Sequence, residues 1–396
     1  MQTKVYKYPV LLAKDLFAMQ QNKGNVFLLS TGTETGWTTE EIAGDYLCEG
    51  EVVTLPWGKS SPVKGLIKYY SGKFVTGDNR IATSLDTEKL LNKYLYYWMV
   101  KHGDLIDTFY RGSGIKHPSM LQVLTLKIAL PPLAVQREIV RILDNFTELT
   151  AELTAELTAR KKQYEYYRDK LLTCDDNIVV KRIGDITQVF SASRVHKDEW
   201  TTEGVPFYRS SDVISYFNGV ENSRGKAYIS KELYEKLSAK SGKICKDDIL
   251  ITGGGTIGVP YIVPNDDPIY MKDADLLCIQ HSKEFDSRYL YHYFLSTPFR
   301  DYLKGITHDA TIPHYTISQI CKTPVPLPSL DVQKRIVNVL DNFDAICSDL
   351  KIGLPAEIEA RKKQYEYYRD QLLTFAESGR MLVDRQTDRQ TDRGTR

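Results

Sequence analysis

Glycine-rich turns, histidines and paired carboxylates are the groups through which this chain could do chemistry, and none completes a motif for it. Gly58-Lys59-Ser60 has the ending of a phosphate-binding loop. Such a loop needs a glycine five residues before the one preceding its lysine, and Val53 stands there. Gly253-Gly254-Gly255-Thr256-Ile257-Gly258 lies between the apolar runs Ile249-Leu250-Ile251 and Tyr261-Ile262-Val263. Gly253, Gly255 and Gly258 fit G-x-G-x-x-G, but a dinucleotide loop must open a helix and here strand returns at Tyr261-Ile262-Val263, so it reads as a hairpin turn, with a loop meeting DNA backbone as the other reading. The seven histidines form neither HxxxH nor HExxH, which leaves a metal site without support. Asp247-Asp248 and Asp266-Asp267 read as turn residues and not as an acid–base pair. No Asp/Asn-Pro-Pro-Tyr/Phe run is present, so the chain should not itself methylate a base. With no catalytic constellation and no cofactor expected, the sequence reads as a binding protein.

The remaining chemistry is polar and basic. Residues suited to nucleic acid are Lys59, Ser60, Lys64, Arg80, Arg111, Lys116 and His117 in the first half. In the second half they are Arg194, His196, Lys197, Arg209, Ser210, Thr256, His308, Thr311 and His314. Arginine and lysine pair with guanine edges or phosphates, and short polar side chains read either. The formal net charge is only +1, which is low for a protein that holds nucleic acid unaided. A local basic patch or a basic partner would reconcile the two.

The elements that must position these residues are set by an internal repeat. Ala159 to Asp169 and Ala360 to Asp370 both read ARKKQYEYYRD. Upstream, Val135 to Phe146 is echoed by Val332 to Phe343. Apolar residues in each copy recur three, four or seven apart, the spacing of one helix face. The first stripe comprises Phe146, Leu149, Leu153, Leu157, Tyr164, Tyr167 and Leu171; the second, Leu350, Leu354, Ile358, Tyr365, Tyr368 and Leu372. Matching stripes predict an antiparallel coiled-coil pair, with Tyr164, Tyr167 and Leu171 facing a helix over 346–372. Glu148 to Ala159 is a tandem of three ELTA units inside the first helix, and Gly353 with Pro355 should break the second.

A globular α+β unit precedes each helix. Strands are expected at 25–29, 51–55, 66–70 and 73–75 and a helix over 87–101. The plan then recurs: 246–251 matches 49–54, Asp273 matches Asp78, and Arg288 to Tyr293 matches Lys93 to Trp98. The expected organisation is a recognition domain over 1–131, a helical spacer over 132–175, a second domain over 176–327, a second spacer over 328–376, and a disordered tail over 377–396. Paired antiparallel, the helices would make a pseudo-two-fold dumbbell. The six cysteines include no CxxC pair, which favours reduced thiols, and no signal-peptide core or membrane-length apolar run is present, so a cytoplasmic location is expected.

With its halves aligned, the chain closely resembles the specificity subunit of type I restriction-modification systems, over nearly all of residues 1–375. The resemblance rests on two similar globules, each followed by a P-x-x-x-Q entry into a long helix. Here those entries are Pro132-Leu133-Ala134-Val135-Gln136 and Ser329-Leu330-Asp331-Val332-Gln333, with Pro328 beside the substituted serine. Lys246 to Leu250 followed by Gly255-Thr256-Ile257-Gly258 also looks like the family's second-domain signature, which Thr54 to Gly58 replaces in the first globule. The resemblance implies a non-catalytic subunit that reads a split site in double-stranded DNA, with the helices as a ruler. It also implies two methyltransferase partners and, through them, ATP-dependent restriction subunits. The rival reading is a coiled-coil scaffold joining two protein-binding modules with no DNA role.

Overall fold

The computed structural model describes residues 11–30, 35–77, 79–81 (backbone only), 84, 86–173, 178–223, 225–307, 314–349 and 351–378. The chain forms two compact units, Met1–Leu153 with Ile358–Arg396, and Thr154–Glu357. The candidates Leu350, His308 and Thr311 lie outside the described residues, as does the side chain of Arg80.

In the first unit, valine-rich and aromatic runs build one sheet from β1 (Val26–Leu29), β2 (Trp37–Thr38), β3 (Cys48–Pro56), β4 (Lys68–Thr76) and β5 (Asn79–Ile81), in the order β2-β1-β4-β3-β5. Its β1–β4 pairing is parallel and the rest antiparallel. A small hairpin, β6 (Tyr110–Arg111) with β7 (His117–Pro118), follows helix α1 (Asn92–Lys101). Helix α1 starts later than the expected 87–101. Its buried Tyr94, Leu95, Tyr97 and Trp98 meet Val53 and Leu55 of β3.

The second unit adds β8 (Val180–Arg182), β9 (Val189–Ser191), β10 (Trp200–Thr201), β11 (Val205–Tyr208), β12 (Tyr228–Ile229), β13 (Ile249–Thr252), β14 (Pro260–Ile262), β15 (Tyr270–Met271), β16 (Leu276–Ile279) and β17 (Pro324–Pro326). They form sheets in the orders β10-β12-β11-β15, β14-β13-β16-β9 and β17-β8. The pairing logic of the first unit recurs. β11 lies antiparallel to β12 and parallel to β15, as β1 does to β2 and β4; β13 lies between antiparallel β14 and β16, as β3 lies between β4 and β5. One long strand, β4, is thus represented by two short ones, β14 and β15. Among the helices here are α3 (Ser210–Phe217), α4 (Ser287–Leu295) and α5 (Thr297–Thr307).

The first spacer is one 40-residue helix, α2 (Leu133–Leu172). The second is split into α6 (Leu330–Ser348) and α7 (Leu354–Ser378). Asp349 ends α6 and its carboxylate accepts the backbone N–H of Lys351 at 2.6 Å and of Ile352 at 3.1 Å. A Cβ on Gly353 would sit 2.6 Å from the Ala345 carbonyl oxygen, so the tight break admits only glycine. Pro355 then occupies the first turn of α7, where its missing N–H costs nothing, so it starts a helix and does not break one.

That split corrects the expected pairing. In the second unit the Tyr167 ring stacks on Phe343 of α6 at 5.8 Å, not on the 346–372 segment. Asp344 faces Tyr164 and Cys347 faces Lys161, so α2 and α6 run antiparallel. In the first unit Phe146 of α2 stacks on Tyr368 of α7 at 5.3 Å. Spacer residues enter the domain cores directly. Ile139, Leu143 and Leu373 are buried with Tyr94 and Trp98, and Tyr164, Leu172, Ile336 and Leu340 with Tyr289 and Phe294. Each such buried aliphatic side chain stabilises its unit by roughly 1.5–3 kcal/mol.

Candidate nucleic-acid interface

In the first unit β3 ends at Pro56, and the next residues lie along the β6–β7 hairpin. Lys59 makes an isolated bridge with Lys116, the His117 Nδ1 lies 2.9 Å from the Trp57 carbonyl, and a Cβ on Gly58 would meet Ile115 at 2.5 Å. This brings together the exposed Ser60, Arg111, Lys116 and His117. The backbone of Arg80 pairs with Leu55 close by. Lys64 stands half-buried with its ammonium 3.8 Å from Glu366. Lys59 is corrected: it is buried, its ammonium bonds Asp107 Oδ1 at 2.5 Å, and the ring of Tyr110 lies beneath it. The Asp107 carboxyl pays desolvation, yet bonds from Lys59 and the Val63 N–H hold it below its ordinary range. A cation so committed is not available to a phosphate.

In the second unit the glycine-rich segment is a hairpin connection between β13 and β14. Thr252 Oγ1 donates to the Thr256 carbonyl at 2.6 Å and accepts the Val259 N–H at 2.8 Å, while Gly255 and Gly258 take the left-handed conformation. Thr256 is exposed at the tip, and exposed His314 bridges Gly254. The Gly253 N–H bonds the Asp275 carbonyl and the Ala274 N–H bonds Ser191 Oγ, so the end of β9 joins the same edge. Arg194, His196 and Lys197 follow it, all exposed. Arg209 and Ser210 are corrected. The Arg209 guanidinium bonds Asp212 and the Gly225 carbonyl over the Trp200 ring, and Ser210 Oγ donates to the Asp275 carbonyl at 2.6 Å. Both are buried, holding the start of α3 in place.

Behind each edge lies a joint that motif reading identified only as an entry signal. In the first unit Gln136 Oε1 accepts the Leu91 N–H at 3.0 Å, and its Nε2 donates to the carbonyls of Lys89 and Pro131. In the second, Gln333 Oε1 accepts the Asp286 N–H at 2.9 Å, and its Nε2 donates to those of Glu284 and Pro328. One helical stretch on, Asp144 accepts from Tyr97 Oη and Lys93, and Asp341 accepts from His292 Nε2 and Arg288. The aligned pairs Lys93/Arg288 and Tyr97/His292 therefore occupy equivalent places. The repeat's own arginines behave alike: Arg168 lies over Tyr164 and bonds Asp169, and Arg369 lies over Tyr365 and bonds Asp370.

Among the described residues no group of three or more His, Cys, Asp or Glu could hold a metal ion, and no helix is long and apolar enough to cross a membrane. Two units of one strand-pairing logic, each joined to a spacer by an equivalent glutamine and aspartate, define a duplicated recognition-domain-and-spacer protein. The chain matches the type I restriction modification DNA specificity domain over residues 10–160 and again over 175–360. It belongs to that family, the specificity subunits of type I restriction-modification systems.

Relatives agree. A putative type I restriction enzyme specificity subunit of Haemophilus influenzae is 34% identical over 348 residues, spanning 85% of this chain and 86% of the relative. The EcoR124I/EcoR124II specificity subunit of Escherichia coli is 33% identical over 316 residues, spanning 75% of this chain and 74% of that one. The fold is shared with the crystal structure of the type I restriction-modification S subunit from M. genitalium, with TM-score 0.56 at 16% identity and 92% of each chain covered.

Proposed function

We propose that the chain reads a split site in double-stranded DNA, one half-site per domain, and that its helices set the gap between the halves. The observation that carries this reading is the recurrence of one joint, Gln136–Asp144 and Gln333–Asp341, beneath two edges whose exposed residues differ. An unchanged frame with changed edges suits two readers of different sequence on one ruler. In the first domain Ser60, Arg111, Lys116 and His117 contact DNA, with Lys64 and Arg80 beside them. In the second, Arg194, His196, Lys197, Thr256 and His314 do so, with His308 and Thr311 in the adjoining segment. The subunit itself is non-catalytic and cytoplasmic. Two methyltransferase subunits bind it, and ATP-dependent restriction subunits join through them.

The test exchanges residues 178–325 for the same region of a relative and sequences the methylome of cells that also carry the cognate methyltransferase. One half of a bipartite motif should change while the other half and the gap persist. Changes in both halves, or methylation at a contiguous motif, would refute the reading; the absence of any site-specific methylation would favour the scaffold.

A further inference from the structure

His292 is buried completely and bonds both spacer helices through one ring. Its Nδ1 lies 3.0 Å from Tyr164 Oη of α2, and its Nε2 lies 2.7 Å from Asp341 Oδ1 of α6. The ring itself belongs to α4, the helix packed beneath the second sheet. At the equivalent place in the first unit, Tyr97 of α1 donates its hydroxyl to Asp144 of α2 at 2.5 Å. Its ring packs on Tyr365 of α7 at 6.3 Å. Tyr164 and Tyr365 are the same position of the eleven-residue repeat. In each unit, then, one aromatic side chain on the recognition domain touches both spacer helices at matched positions.

We propose that Tyr97 and His292 are positioning residues for site selection: each fixes the angle of its recognition domain against the paired helices, and so sets how strictly the gap is measured. The physical reason is that two helices which slide or rotate against each other carry the domain with them only if it is held by both, through a bond or a packed ring. Gln333 and Asp341 hold α4 to α6 alone, and Asp169, accepting the Thr297 N–H at 3.0 Å, holds α2 to the start of α5. His292 is the side chain where the two hydrogen-bond lines meet. A hydrogen bond to a carboxylate is directional, so its loss adds angular freedom before it costs the fold. The residue differs between units, histidine in one and tyrosine in the other, while the partners match. What is kept is therefore a bridging polar aromatic, not imidazole chemistry.

The proposal rests on the bipartite reading above, and the test separates the two. The full chain is assembled with its methyltransferase subunits and given duplexes in which the gap found for the wild type is kept, shortened or lengthened by one base pair. The wild type should methylate its own gap far better than either neighbour; equal use of all three would refute the ruler reading itself. The variant pair H292F with Y164F removes the bridge without leaving a buried hydroxyl orphaned. It should lose about tenfold in gap discrimination, the order expected for one bond to a charged group, with both half-site sequences unchanged. H292Y, which installs the first unit's residue, should return discrimination to within about twofold of wild type. Thermal melting of each variant checks that the fold persists. Undiminished discrimination in the folded double variant would overturn the proposal, as would H292Y discriminating no better than the double variant.

Discussion

Asp341 shows how much one carboxylate carries when two side chains converge on it. It accepts from His292 and from Arg288, which closes bidentately upon it. Partial burial opposes its ionisation, but those two bonds outweigh the desolvation and hold its carboxyl below the ordinary range. A depressed carboxylate contributes stability that is full above its unfolded value of about 3.9 and fades as pH falls through the lower folded one. Replacing Asp341 by asparagine should therefore destabilise the protein near pH 7 by about 1–2 kcal/mol, toward the low end because the side chain is 37% exposed and partly screened. The same variant should show a flatter loss of stability below pH 4 than the wild type. Urea titrations at pH 7 and pH 3.5 check both, and equal losses at the two pH values would contradict this account. At this scale the sequence was legible in part. The P-x-x-x-Q entries marked Gln136 and Gln333 as structural signals, and the alignment of 93–98 with 288–293 put His292 opposite Tyr97. The buried fates of Lys59, Arg209 and Ser210 were not legible, because the Asp107 carboxylate that takes Lys59 is 48 residues away, and the Gly225 and Asp275 carbonyls that take Arg209 and Ser210 are 16 and 65 away.

Elements follow from pattern more faithfully than single contacts do. The helical stripe from Phe146 to Leu171 predicted that part of α2, and Gly353 with Pro355 predicted a break in the second spacer, where the glycine makes the break and the proline opens α7. What pattern could not tell was which piece of the broken spacer meets which half of α2, since both carry the same period. The answer lies in register: Phe146 meets Tyr368 and Phe343 meets Tyr167, the same two repeat positions exchanged between copies. Between those stacks run the three ELTA units, with their leucines only partly buried. One unit adds about 6 Å and about 400°, a net turn of roughly 40°. Deleting Glu152 to Ala155 should therefore keep the leucines on one face and shorten the gap by one or two base pairs, at about 3.4 Å each, without altering either half-site. Methylome sequencing of the deletion variant reads this. An unchanged gap would make the tandem filler, and a changed half-site would end the ruler description.

For the molecule as a whole, charge sets an expectation that the fold does not. A formal net charge of +1 gives little long-range attraction to a polyanion. Isolated chain should therefore bind duplex DNA weakly, with fewer released counterions and a shallower dependence of affinity on salt than the complex with its methyltransferase. Binding isotherms at several salt concentrations measure both slopes; equal slopes would mean that the chain supplies all the phosphate contacts. The duplication, the fold class and the family were readable from sequence because repetition is a signal independent of tertiary context. The irregular edges were not, since loops carry no period.

The order in which the polypeptide leaves the ribosome adds a consequence of the way α7 returns to the first unit. Leu373 fills that unit's core, and Glu377 takes the Trp98 indole N–H at 2.9 Å and the Lys101 ammonium at 2.7 Å. These groups are synthesised only after every residue of Thr154–Glu357. The first unit begun is thus the last one finished. The nascent chain must carry an incomplete apolar surface around Trp98 and Leu143 through the translation of the whole second unit, and a stop codon between Glu357 and Leu373 leaves that surface uncovered while sparing the second unit's core.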